Sequence, residues 1–263
     1  MKKLLLPLFL ALLISCEKEQ LNTDPESKKV FTISSTEKGK TYEIRVYLPT
    51  DYLKSSEYYP TIYVLDADEN EKTVASECKK VSESLNTKNA IVIGINYGDD
   101  RNTDYTPTET DYGKGGSEAF LNFIKKELIQ RIEKDYRADP QRKSRAILGH
   151  SFGGLFGAFA FTKHNEVFGN YLLLSPSLFY DHSVVLQYEQ QSRPAIKDND
   201  QLIFIGAGST EDALLQANDL LYQRLKSYYP NTKTTFNVIP GRGHQSSKNF
   251  DIEDAIHFYF SNK

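Results

Sequence analysis

The residues of this chain best placed to do chemistry lie in Gly149-His150-Ser151-Phe152-Gly153-Gly154. A serine hydroxyl is scarcely ionised at neutral pH. It becomes a nucleophile when a histidine takes its proton, most often with a carboxylate to fix that histidine's tautomer. Glycines two residues either side of Ser151 permit a strand-to-helix turn too tight for nearby side chains, and such a turn lifts the hydroxyl clear of the sheet. The amide of Phe152, at the start of the following helix, is then free to stabilise an oxyanion. His150 is adjacent, but in so tight a turn it faces away from its neighbour's hydroxyl, and a packing role is expected.

In elbows of this type the acid and then the histidine follow the serine along the chain. His244 closes the glycine-rich segment Ile239-Pro240-Gly241-Arg242-Gly243-His244, between the last expected strand and the last helix. His164 and His182 precede the acid position and His257 falls inside a helix, which leaves His244 as the expected base. The acid belongs after the preceding strand, where Ile205-Gly206-Ala207-Gly208-Ser209-Thr210-Glu211-Asp212 offers two carboxylates. Glu211 is favoured and Asp212 is the alternative, since an acidic residue there also suits the start of a helix.

These groups need elements to hold them. Residues 41–48 alternate apolar and polar up to Pro49, a half-buried antiparallel strand, and 30–34 pairs with it across 35–40. Short β-branched runs at 61–65, 90–95, 144–148, 171–174, 202–205 and 235–239 suit strands covered on both faces. Between them, 117–136 carries Phe120, Ile124, Leu128 and Ile132 at every fourth position, and 155–160, 213–227 and 250–260 also read as helical. The pattern predicts one α/β domain over residues 30–263: a mostly parallel sheet entered through antiparallel strands, with helices on both faces.

The chain resembles the esterase-D-like branch of the α/β-hydrolases, which contains ferric-enterobactin and bacillibactin esterases and is related to feruloyl esterases. The matching stretches are 59–68 (Tyr-Pro-Thr-Ile-Tyr-Val-Leu-Asp-Ala-Asp), 101–108 (Arg-Asn-Thr-Asp-Tyr-Thr-Pro-Thr), 149–154, 174–177 (Leu-Ser-Pro-Ser), 208–211 (Gly-Ser-Thr-Glu) and Gly243-His244. The resemblance implies a second oxyanion donor at the backbone amide of Ala67, where the family usually has glycine. It implies a place for Arg101 near an anionic ligand; the alternative for Arg101 is a local salt bridge with Asp104. Some siderophore esterases work as a Ser-His dyad, so the acid is the loosest element carried over. The expected function is a serine esterase working through an acyl-enzyme, on a siderophore, aromatic or sugar ester. No cofactor is implied. A non-catalytic ligand-binding protein, an acyltransferase and a peptidase are the rival readings on the same fold.

The first residues are biased differently. Lys2 and Lys3 precede an apolar run over 4–14, a secretory signal too short to span a bilayer. Leu13-Ile14-Ser15-Cys16 resembles the lipobox of bacterial lipoproteins, so residues 1–15 are expected to be removed and Cys16 to carry lipid. Glu17, rather than aspartate, leans towards the outer membrane, with 16–29 as a polar tether. Cys78 is then left without a partner for a disulfide. No metal-ligand spacing occurs among five histidines and two cysteines. With 32 Lys+Arg against 35 Asp+Glu, the chain lacks the basic excess of a nucleic-acid binder. Each acyl chain contributes roughly 0.8 kcal/mol per buried methylene, and several chains make attachment durable. Cys16→Ser is therefore expected to abolish incorporation of a labelled fatty acid, and equal label in the variant would refute acylation at Cys16.

Overall fold

The structure, a computed structural model, describes residues 28–97 and 100–263. Cys16, the expected signal and most of the tether lie outside the described residues. The strands β1 (Lys28–Ser34) and β2 (Thr41–Tyr47) form the expected hairpin, with Val30 opposite Arg45. β1 begins two residues inside the stretch read as tether, because Lys28 and Lys29 join the ladder opposite Tyr47 and Val46. There follow β3 (Thr61–Leu65), α1 (Ala67–Ser84), β4 (Ile91–Ile95), the short α2 (Arg101–Tyr105) and a small hairpin of β5 (Glu109–Thr110) and β6 (Gly113–Lys114). Helices α3 (Ser117–Phe123) and α4 (Ile129–Asp135) are joined by a π-helical turn, Ile124–Leu128. The second half runs β7 (Arg145–His150), α5 (Phe152–Lys163), β8 (Asn170–Leu174), α6 (Tyr180–Ile196), β9 (Gln201–Gly208), α7 (Asp212–Tyr228), β10 (Thr232–Ile239) and α8 (Lys248–Ser261).

The main sheet has the order β1-β2-β4-β3-β7-β8-β9-β10. Pairing is antiparallel for β1 with β2 and β2 with β4, and parallel from β4 onwards. Because side chains alternate across a strand, β3 sends Tyr63 and Leu65 into one apolar layer and Ile62 and Val64 into the other. The first layer contains Phe120, Phe156 and Leu221; the second lies under α1 and α8, with Val74, Cys78, Ile256 and Tyr259. Helix α5 is buried almost all round, as its uniformly apolar sequence requires. A period of four outruns the 3.6 residues of an α-turn, so the stripe Phe120, Ile124, Leu128, Ile132 would rotate off the core. The wider π turn corrects that drift and all four residues are fully buried.

Helix α6 has no counterpart in the sequence reading. Three successive left-handed residues, Asp181, His182 and Ser183, sit at its start and Pro194 near its end, which breaks the apolar period that would have marked it. Six of the seventeen tyrosines, Tyr42, Tyr59, Tyr63, Tyr105, Tyr171 and Tyr259, are fully buried core residues.

The turn between β7 and α5 corrects one expectation. A Cβ on Gly149 would lie 2.4 Å from the backbone carbonyl group of Gly153, and one on Gly154 would lie 2.9 Å from Pro176. On Gly153 it would meet nothing closer than Asp66 Oδ2 at 3.4 Å, an ordinary contact. The close approaches thus fall at Gly149 and Gly154, and Gly153 is there as the backbone that Gly149 must pass. Gly149→Ala should destabilise the protein by about 1–3 kcal/mol or more. Gly153→Ala, inside a helix, should change stability by less than about 1 kcal/mol. Urea midpoints of the two variants check the contrast, and equal losses would contradict it.

Candidate active site

Three neighbouring strands end at this edge of the sheet, each on a residue other than glycine with positive φ: Asp66 after β3 (52°), Ser151 after β7 (61°) and Ser175 after β8 (42°). Such conformations cost about 1–3 kcal/mol each and persist only where neighbours enforce them. The Ser151 amide donates to the Leu174 carbonyl at 2.9 Å, and the Ser151 carbonyl accepts from Leu155 at 2.9 Å and Ser177 at 3.2 Å. The Ser175 amide donates to the Gly206 carbonyl at 2.8 Å, and the Asp66 amide donates to the Tyr105 hydroxyl at 3.2 Å.

These turns leave two helix-starting amides, Ala67 of α1 and Phe152 of α5, without a hydrogen-bond acceptor among the described residues. Helix starts expose such donors, and they suit an anionic oxygen. The methyl of Ala67 packs against Gly94 of β4, where a Cβ would come within 2.9 Å of it. Gly94 thereby leaves room for the alanine side chain at the start of α1.

His244, in the loop between β10 and α8, has Nδ1 2.7 Å from Glu211 Oε2. The other carboxylate oxygen, Oε1, accepts from the Ser175 hydroxyl at 2.9 Å and from the Gly208 amide, with Ser247 Oγ at 3.5 Å. Burial by itself would raise the pKa of the Glu211 carboxyl, but the hydrogen bonds from His244, Gly208 and Ser175 outweigh it and hold the pKa below the usual value. Asp212, one residue into α7, is exposed. Two backbone bonds, Ser209 to Ile239 and Thr210 to Arg242, both 3.0 Å, stitch the loop bearing the acid to the loop bearing the histidine.

His150 is buried, as a packing residue should be, and also donates from Nε2 to the His244 carbonyl at 2.9 Å, since a carbonyl can only accept. The two imidazole centroids are 4.6 Å apart, which places His244 beside the elbow. Burial and the neighbouring His244 push His150 down to about 4, so it stays neutral at physiological pH. The Ser151 hydroxyl rests 3.5 Å from Ser177 Oγ, and no hydrogen bond joins it to His244 among the described residues.

Arg101 does not pair with Asp104. Its Nε and Nη2 each lie 2.7 Å from a different oxygen of Asp66, and Nη2 also reaches the His150 carbonyl at 3.2 Å. Asp104, fully buried, instead holds Lys38 Nζ at 2.7 Å and accepts from the Tyr42 hydroxyl at 2.8 Å. Sequence reasoning missed Asp66, Ser175 and Ser247 as supports of the site. Its nearest signal was the matched Leu-Asp and Leu-Ser-Pro-Ser stretches, whose individual roles spacing cannot supply.

Residues 35–253 match the family described as "Putative esterase". The ferri-bacillibactin esterase BesA of Bacillus subtilis is 29% identical over 258 residues, 88% of either chain. The structure superposes on the BES protein from Bacillus cereus with a TM-score of 0.79 at 25% identity, over 89% of this chain and 96% of the other. An IroE-like serine hydrolase from Shewanella oneidensis gives 0.80 at 25% identity, over 89% and 80%. A match of this extent, on a sheet of this order, makes the chain a member of the esterase family, an α/β-hydrolase-fold enzyme that acts on ester bonds.

Proposed function

We propose that the protein cleaves carboxylic esters through an acyl-enzyme on Ser151. The observation that carries this reading is the 2.7 Å contact from His244 Nδ1 to a buried, hydrogen-bonded carboxylate beside a strained elbow serine. Glu211 fixes the proton on Nδ1, which leaves Nε2 as the base. The Ser151 hydroxyl leaves Ser177 for His244 Nε2, gives up its proton there and attacks the carbonyl carbon. The amides of Phe152 and Ala67 take the oxyanion. The imidazolium then returns its proton to the leaving alcohol as the C–O bond breaks. Water, deprotonated by His244, attacks the acyl-serine, and the acid departs as Ser151 recovers its proton. A protein that merely binds a ligand has no use for a carboxylate that fixes a histidine tautomer, which favours catalysis over capture.

A siderophore ester is the proposed substrate class, on the strength of the 29% identity to a ferri-bacillibactin esterase, with aromatic and sugar esters next. Residues 1–15 are proposed to be a signal and Cys16 a lipid anchor that holds the domain at the bacterial outer membrane, so its partners would be the membrane and a small ester. A panel of ferric catecholate siderophores, feruloylated sugars and p-nitrophenyl acyl esters tests the substrate, and fluorophosphonate labelling tests the nucleophile.

Ser151→Ala should lower kcat about 10⁵- to 10⁶-fold with the fold intact by circular dichroism. Retention of more than about a tenth of the activity would transfer the nucleophile elsewhere. The acid acts through orientation in the transition state, so Glu211→Gln should lower kcat by about 10³- to 10⁴-fold with little change in KM. Exposed Asp212 has no such contact, and Asp212→Asn should cost less than about threefold. A larger loss in the aspartate variant would move the role to it, and small losses in both would mark a Ser-His dyad.

A further inference from the structure

The five residues of α2 brace the turn that carries one of the two free amides. Arg101, its first residue, grips the Asp66 carboxylate with two parallel bonds of 2.7 Å, the bidentate geometry in which guanidinium and carboxylate bind most firmly. Tyr105, its last residue, is fully buried and accepts the Asp66 amide proton at 3.2 Å. The guanidinium also stacks over the Tyr105 ring at 5.0 Å. Asp66 is thus tied by its side chain and its backbone to one short helix. That helix is itself anchored, through Asp104, to Lys38 and to Tyr42 of β2.

The same guanidinium extends Nη2 to the His150 carbonyl at 3.2 Å. Asp66 immediately precedes Ala67, and His150 immediately precedes Ser151 and Phe152. Arg101 therefore bridges the two strand ends from which the free amides emerge, and the Asp66 carboxylate it holds lies against Gly153 of α5. One cation and one carboxylate cancel, and the Arg101 side chain is only 25% exposed. It is poorly suited to attract an anionic ligand.

We propose that Arg101 is a positioning residue of the oxyanion hole: by holding Asp66 to the His150 carbonyl it fixes the spacing of the Ala67 and Phe152 amides. This rests on the esterase mechanism above. It differs from the ligand-contacting role expected from sequence, in which the charge of Arg101 meets the substrate directly.

The test compares Arg101→Lys, Asp66→Asn and the double variant on p-nitrophenyl acetate, which is neutral, and on p-nitrophenyl succinate, which carries one negative charge. A trifluoromethyl ketone, whose adduct with a serine places an oxyanion in the hole, supplies a third readout. Lysine keeps the charge but cannot reproduce the fork, and asparagine keeps the shape and tolerates positive φ. Each single variant should lower kcat about 10- to 100-fold on both esters, with KM within about threefold. The ketone's inhibition constant should weaken in proportion, and the double variant should be no worse than either single. A ligand role predicts the reverse pattern: Arg101→Lys alters KM for the anionic ester alone, and Asp66→Asn, by freeing the cation, improves it. That result, or unchanged kcat in Asp66→Asn, overturns the proposal while leaving the esterase reading intact. If Asp66→Asn does not fold, Arg101→Lys decides alone by the same split. A wild-type protein that turns over neither ester and takes no fluorophosphonate overturns the mechanism and this inference together.

Discussion

At the ends of β3, β7 and β8 the backbone must turn out of the sheet through conformations that side chains resist, and it does so on Asp66, Ser151 and Ser175 rather than on glycine. In the proposed mechanism the middle turn must carry a reactive hydroxyl, so the chain cannot relieve the strain there by dropping the side chain. The surroundings have to enforce the geometry instead. Each turn is stitched to an adjoining segment: Ser151 to Leu174, Ser175 to Gly206, Asp66 to Tyr105. Neighbouring turns therefore lean on one another, and the parallel register of three strands becomes the ruler that sets the spacing of the site.

The buried acid depends on the same turns. A carboxylate as enclosed as Glu211 would take up a proton unless donors met it, and one of its donors is the hydroxyl of Ser175, itself a strained residue. The Leu-Ser-Pro-Ser stretch thus acts at three points. Ser175 stabilises the acid, Pro176 packs on Gly154 of α5, and Ser177 touches both the carbonyl and the hydroxyl of Ser151. Contacts to Ser151 and to Glu211 thus come from one turn, so a disturbance of that turn would reach both.

Much of this was legible in the sequence because local periodicity and turn chemistry carry it. The hairpin, the strands and the elbow each announce themselves within ten or so residues, and the expected order of Ser151, Glu211 and His244 was read from where the strands end. The choice of Glu211 over Asp212 was positional; in the structure Glu211 lies against His244 and Asp212 is exposed. Most of what escaped depended on distant partners. Arg101 sits three residues from Asp104 but bonds to Asp66, 35 residues away, because β3 and α2 converge at the sheet edge. Helix α6 escaped since its left-handed start and Pro194 hide its period. His150 was read as packing, and its hydrogen bond to the backbone of His244 depends on a loop 94 residues further on.

Cys78 lies in α1, inside the apolar layer shared with Tyr259 and Ile256 of α8, and burial pushes its thiol well above the ordinary value. Thiolate, rather than thiol, reacts with disulfides, maleimides and peroxide, so the native protein shields this sulfur both by enclosure and by protonation. Where Cys16 carries its lipid, Cys78 is the one thiol in the chain. The rate at which a reagent such as Ellman's disulfide modifies it then counts how often α1 separates from α8. The molecule carries its own clock for opening events, read at one atom and needing no engineered label.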